Sequence, residues 1–114
     1  MSRKRVILSS PYSSSNDEHL ARNIEYARRA VRDSLLADEA PLPAHLIYTQ
    51  GGIMDENKAL QRKMGEECEK AWSRECDQVV LYIDYGISNG MQICENRAKL
   101  MGLDVQRRKI GQNP

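Results

Sequence analysis

The apolar residues of this chain fall into two kinds of pattern. Short unbroken runs, Val6-Ile7-Leu8 and Val79-Val80-Leu81-Tyr82-Ile83, predict fully buried strands over Arg5 to Ser9 and Gln78 to Ile83. Elsewhere apolar positions recur at steps of three and four. Leu20, Ile24, Ala27, Val31 and Leu35 predict a helix with one buried face, capped by Asn16 or Asp17 and carrying Glu18 in its first turn. Leu60, Met64, Cys68 and Trp72 predict a second helix from Asn57 to about Glu75, with those side chains in the core. A third helix runs from Ser88 to Met101 and is closed by Gly102 as C-cap. Leu42 to Tyr48 reads as a shorter strand with an edge or irregular start at Pro43, and Asp104 to Lys109 as the last strand.

The connections fit this order. Ser10 to Ser15 is a loop broken by Pro11, Thr49 to Glu56 is a loop holding two glycines, and the tail Gly111–Pro114 is expected to fray. Strands alternating with helices predict βαβ units: an α/β domain with a mainly parallel sheet covered on both faces. At 114 residues the chain is expected to form a single domain, 1–114. In such sheets ligands sit outside the carboxyl ends of the strands. That rule brings the Ser9–Ser15 loop, the loop after Tyr48 and the 84–91 turn together as a crevice.

Composition narrows the function classes. Acidic and basic residues leave a formal charge of only +1, which argues against a dedicated nucleic-acid binder. The basic clusters Arg3-Lys4-Arg5 and Arg107-Arg108-Lys109 read as solvated flanks of edge strands. No apolar run approaches the roughly 20 residues of a membrane span, and Met1-Ser2-Arg3 leads straight into a strand rather than a signal peptide. The three cysteines lack metal-ligand spacing and fit reduced thiols in a cytoplasmic protein. No metal site and no cofactor are expected.

The crevice residues carry the candidate chemistry. If Ser88 caps the third helix, the amides of Asn89, Gly90 and Met91 form an anion site backed by the helix dipole, against the plainer reading of an ordinary helix start. Gly86 and Gly90 allow a ligand to approach the backbone. Asp84, at the end of the central strand, can accept hydrogen bonds from ribose hydroxyls or a base amine, or else cap the turn. Ser9, Ser10, Pro11 and Tyr12 offer hydroxyls and a ring, although a serine-rich loop is also plain turn chemistry. His45 reads as a structural histidine ahead of a ligand or base, and His19 as an exposed bystander. No histidine carries a local signature for activating a serine or cysteine nucleophile.

The order of these pieces resembles a known family. A strand ends in Ser-Pro-Tyr; Asn23 and Tyr26-Ala27-Arg28 follow, then Ala40-Pro41 and His45-Leu46-Ile47-Tyr48-Thr49-Gln50. Gly65, Trp72 and Cys76-Asp77-Gln78-Val79-Val80 come next, then Gly86-Ile87-Ser88-Asn89-Gly90-Met91, Arg97-Ala98 and Gly102. This arrangement, over residues 5 to 110, is similar to the small nucleoside 2-deoxyribosyltransferase-like domains of bacteria and their phages. The resemblance implies a Rossmann-like three-layer α/β sandwich with a small mainly parallel sheet of about four strands and three helices. It also implies a homodimer or higher homo-oligomer, a nucleoside or nucleotide as partner, and cleavage or transfer at the N-glycosidic bond.

In that family a glutamate on the helix after the glycine turn attacks the anomeric carbon, while aspartates orient the sugar and protonate the base. Asp84 matches the strand-end acid, and Ser88, Asn89 and Gly90 match the turn that contacts the sugar or its 5′ substituent. The glutamate lies four residues after the last glycine and four before the alanine, which is Cys94 here; the shorter turn of some relatives points to Gln92. Neither is a carboxylate. Glu95 stands one step on, rotated by about 100° around the helix. Two functions therefore compete: an N-glycosidase or deoxyribosyltransferase using Asp84 with Glu95 or Cys94, and an inactive module that binds a nucleotide to sequester or sense it. A fold-only interaction protein is a third reading.

Overall fold

In a computed structural model describing residues 2–12, 14–55 and 58–111, the chain forms four parallel strands and four helices. In chain order these are β1 (Lys4–Ser9), α1 (Asp17–Leu36), β2 (Glu39–Leu42), α2 (Ala44–Ile47), α3 (Ala59–Ser73), β3 (Gln78–Tyr82), α4 (Asn89–Leu100) and β4 (Asp104–Arg108). The sheet order is β2-β1-β3-β4, with Ile7 flanked by Leu42 on one side and Val79 on the other. The two unbroken apolar runs are thus the two central strands, where both sides of the strand must be apolar. From β1 the chain turns outward to β2, and from β3 it turns the opposite way to β4. A crevice opens between β1 and β3 at that reversal.

Each sheet face has its own core. Val6, Leu8, Val80 and Tyr82 pack under Tyr26 and Ala30 of α1. Ile7, Val79 and Leu81 pack under Met91, Cys94 and Ala98 of α4. α3 lies beside α4, joined to it through Glu69 and Arg97. The result is a Rossmann-like sandwich: helix, sheet, helix. No helix among the described residues is long and apolar enough to cross a membrane.

Several predicted details are corrected. The strand expected over Leu42–Tyr48 ends at Leu42; Pro43 then starts the helical turn α2, its carbonyl accepting from the amides of Leu46 and Ile47 at 2.9 and 3.0 Å. A four-residue apolar stretch suits a strand and a helical turn equally, so periodicity cannot separate them. β2 occupies Glu39–Leu42 instead, and its Pro41 is tolerated because the strand is an edge.

On α1 the buried positions are Asn23, Tyr26, Ala27, Ala30 and Ser34, while Leu35 is 47% exposed. Polar side chains lie inward there because distant partners satisfy them. The Asn23 side-chain amide donates to the Tyr12 carbonyl at 3.0 Å, and the Ser34 hydroxyl to Glu39 at 2.7 Å.

On α3, Leu60, Met64 and Trp72 are 73%, 49% and 48% exposed, and Ser73 is the buried residue. The helix instead turns Gln61, Gly65 and Glu69 toward the crevice. The Asn57 start predicted for this helix lies outside the described residues. Arg108, expected in solvent, is 4% exposed and grips Glu39 through two hydrogen bonds of 2.8 and 3.0 Å.

Candidate functional site

A cavity of about 430 Å³ opens at the carboxyl ends of β1 and β3, within the range of small-ligand pockets. One wall is the loop after β1. Ser9, Ser10 and Pro11 are buried, and Pro11 turns the chain so that Tyr12 faces the cavity. The Asn23 hydrogen bond to Tyr12 fixes this loop on α1. Ser10 Oγ lies 2.7 Å from His45 Nε2, and the Tyr12 ring meets the His45 ring edge-on at 5.7 Å. His45 comes from α2, so the misread strand is what carries it to the cavity. Burial pushes its pKa down to about 4.

The opposite wall is the start of α4. Ser88 has extended backbone and its hydroxyl accepts the Met91 amide at 3.2 Å, a side-chain N-cap. Asn89, Gly90 and Met91 line the cavity beside it. The amides of Asn89 and Gly90, in the first turn, have no carbonyl partner within the helix, and the dipole adds partial positive charge at that end. At Gly90 an added Cβ would meet nothing nearer than Ser88 Oγ at 4.0 Å, so the fold leaves open space there.

α3 forms the third wall. Gln61, Gly65 and Glu69 recur every four residues, and the glycine keeps the middle of that face open. Glu69 forms a close ion pair with Arg97 of α4, and both side chains are mostly buried at 14% and 16% exposed. Tyr48 and Thr49 close the space behind His45, where the Trp72 indole donates to the Tyr48 hydroxyl at 2.9 Å.

Of the residues singled out in the sequence, Ser9, Ser10, Pro11, Tyr12, Ser88, Asn89, Gly90 and Met91 surround this one cavity. Asp84, Gly86 and Glu95 do not line it. Asp84 turns to α1, where it accepts from the Tyr26 hydroxyl and, at 3.1 Å, from the Ile110 amide. Gly86, at φ +86°, shapes the turn instead. Glu95 faces β4, clasped by Arg107 at 2.7 and 2.8 Å, which holds its carboxyl down to about 2.

Cys94 is 2% exposed under the cavity floor, within hydrogen-bonding reach of Ser9 and Glu69. Burial, reinforced by the Glu69 charge, pushes its thiol far up, so the thiolate needed for attack is disfavoured. Sequence reading missed Glu69 altogether. The signal was present as Gln61-Gly65-Glu69 at helical spacing, a face about 100° around the helix from the apolar stripe. Among the described residues no group of three His, Cys, Asp or Glu side chains is placed to hold a metal ion.

The model of one family, described as a domain of unknown function (DUF7768), matches residues 4–108, which takes in all four strands and every wall of the cavity. No curated protein matches the chain.

Proposed function

We propose, from the premise that this chain belongs to the DUF7768 domain family, that its cleft takes a nucleoside or nucleotide and acts at the N-glycosidic bond. The observation that carries this reading is the pairing of two unlike ends in one cavity. The α4 start offers backbone amides suited to a phosphate or a 5′ hydroxyl. The Tyr12–His45 corner offers ring edges and a neutral imidazole suited to a base. A sugar bound between them would lie over the floor formed by Ser9, Glu69 and Arg97. The motif resemblance to nucleoside 2-deoxyribosyltransferase-like domains supports the same chemistry.

A second reading is binding without turnover, for sequestration or sensing. Cys94 and Gln92, the two positions to which the resemblance assigns the attacking glutamate, carry no carboxylate, and the Cys94 thiol is buried; both favour it. One experiment tests both. Purified protein is incubated with common nucleosides, deoxynucleosides and their 5′-monophosphates, scoring free base by chromatography and binding by thermal shift. Binding with base release supports the first reading, and binding alone the second. No shift with any of them removes both.

A further inference from the structure

We propose that Ser10 and His45 form a nucleophile–base pair that takes the acyl group of a small carboxylic ester. This activity goes beyond the N-glycosidic reading and does not rest on it. Ser10 Oγ lies 2.7 Å from His45 Nε2, within the reach a general base needs for the proton it removes. The two residues are 35 positions apart in the chain, and both line the cavity of about 430 Å³.

The surroundings suit attack by the hydroxyl. β1 ends at Ser9, so the rigid central strand delivers Ser10 to the cavity wall. Ser10 is only 5% exposed, which keeps most water from its hydroxyl. The base is held from two sides. The Tyr12 ring meets the imidazole edge-on, and the Thr49 hydroxyl donates to the His45 carbonyl at 2.6 Å, fixing the turn of α2. Burial keeps the ring neutral at ordinary pH, the state in which Nε2 accepts a proton while Nδ1 keeps its own. Across the cavity, the first-turn amides of Asn89 and Gly90 are donors for an oxygen on which charge develops.

Among the described residues no carboxylate hydrogen-bonds the ring, and a base with a pKa of about 4 is weak. Both features slow proton transfer; in serine proteases, disabling the acid of the triad costs about 10⁴-fold. The pair is therefore an acylating centre of low turnover, and its acyl-serine is the species to detect.

The step balances as an ester hydrolysis. Ser10 Oγ bonds to the carbonyl carbon as its proton passes to His45 Nε2. The carbon–oxygen bond to the alcohol then breaks, and His45 returns the proton to the departing oxygen. Water adds to the acyl group, gives one proton through His45 to Ser10 Oγ, and releases the acid. One water is consumed, and nothing is oxidised or reduced.

The test uses the full chain and a fluorophosphonate, which labels activated serines, with mass spectrometry to place the adduct. In the folded wild type, Ser10 is expected to react about 100-fold faster or more than the same serine in urea. His45→Gln is expected to lower the folded rate by about 100-fold or more with a native circular dichroism spectrum, and Ser10→Ala to remove the adduct. With p-nitrophenyl acetate, wild type is expected to release one equivalent of nitrophenol in a burst and to carry the acetyl group on Ser10. Labelling of Ser10 no faster in the folded chain than in urea overturns the assignment, and this comparison needs no variant. So does an adduct found only on other residues, or labelling that His45→Gln leaves unchanged.

Discussion

His45 shows how one residue changes meaning between sequence and fold. Its ring has a folded pKa of about 4 against an ordinary value of 6.5, so the folded state binds fewer protons than the unfolded chain between those limits. Stability is therefore complete above pH 6.5 and falls as pH drops toward 4. The melting temperature of wild type is expected to decline over this window more steeply than that of His45→Gln, which keeps a hydrogen-bonding group near Ser10. Parallel curves would show that the ring titrates normally. Arg108 makes the complementary case. Burial alone would raise the Glu39 pKa, but hydrogen bonds from Arg108 and Ser34 outweigh it and hold it low. Arg108→Met would leave that carboxylate buried without its cation, at a cost of about 3–5 kcal/mol. Urea unfolding measures this directly, and a loss under about 1 kcal/mol would mean the pair is solvated.

Among the elements, α4 does two jobs with two faces. Its first turn opens on the cavity, and its inner face packs on β1 and β3. Gly90→Val fills open space at the first turn without meeting backbone, so it is expected to abolish ligand-induced stabilisation while the circular dichroism spectrum stays native. An unchanged thermal shift would place the ligand elsewhere. Glu95, on the β4 side of the same helix, has its carboxyl held from 4.5 down to about 2 by Arg107 hydrogen bonds. Because that value is depressed, its contribution is full above pH 4.5 and is lost as pH falls toward 2. Glu95→Gln is expected to flatten this acid limb and to leave any base release intact. Loss of activity in that variant would put the reacting group on α4 after all.

For the whole molecule, the exposed side of α3 matters most. Leu60, Met64 and Trp72 form an outward apolar stripe on α3. The chain is expected to self-associate through it about a two-fold axis, the arrangement in which one patch serves both copies. Light scattering at micromolar concentration should give a dimer or a multiple of it, and Met64→Glu should shift the population to monomer. A monomeric wild type would sink this expectation.

What the sequence determined by itself was everything that depends on local period and chain order. Val6-Ile7-Leu8 and Val79–Tyr82 are apolar on both sides, so they had to be central strands; Asn16 and Ser88 cap helices because their oxygens reach amides three residues on. Alternation of strand and helix then implied the parallel sheet, and the sheet implied a crevice at its carboxyl edge. Tertiary structure decided the rest, since it turns on which distant group completes each polar side chain. Asn23 and Ser34 could go inward on α1 only because Tyr12 and Glu39 meet them, and Leu35 was displaced outward in consequence. The stripe on α3 was left outward because the neighbouring face, carrying Gln61, Gly65 and Glu69, was committed to the cavity. Asp84 left the crevice for Tyr26, and Glu69 entered it beside Cys94, 25 positions away in the chain, a distance no local pattern spans.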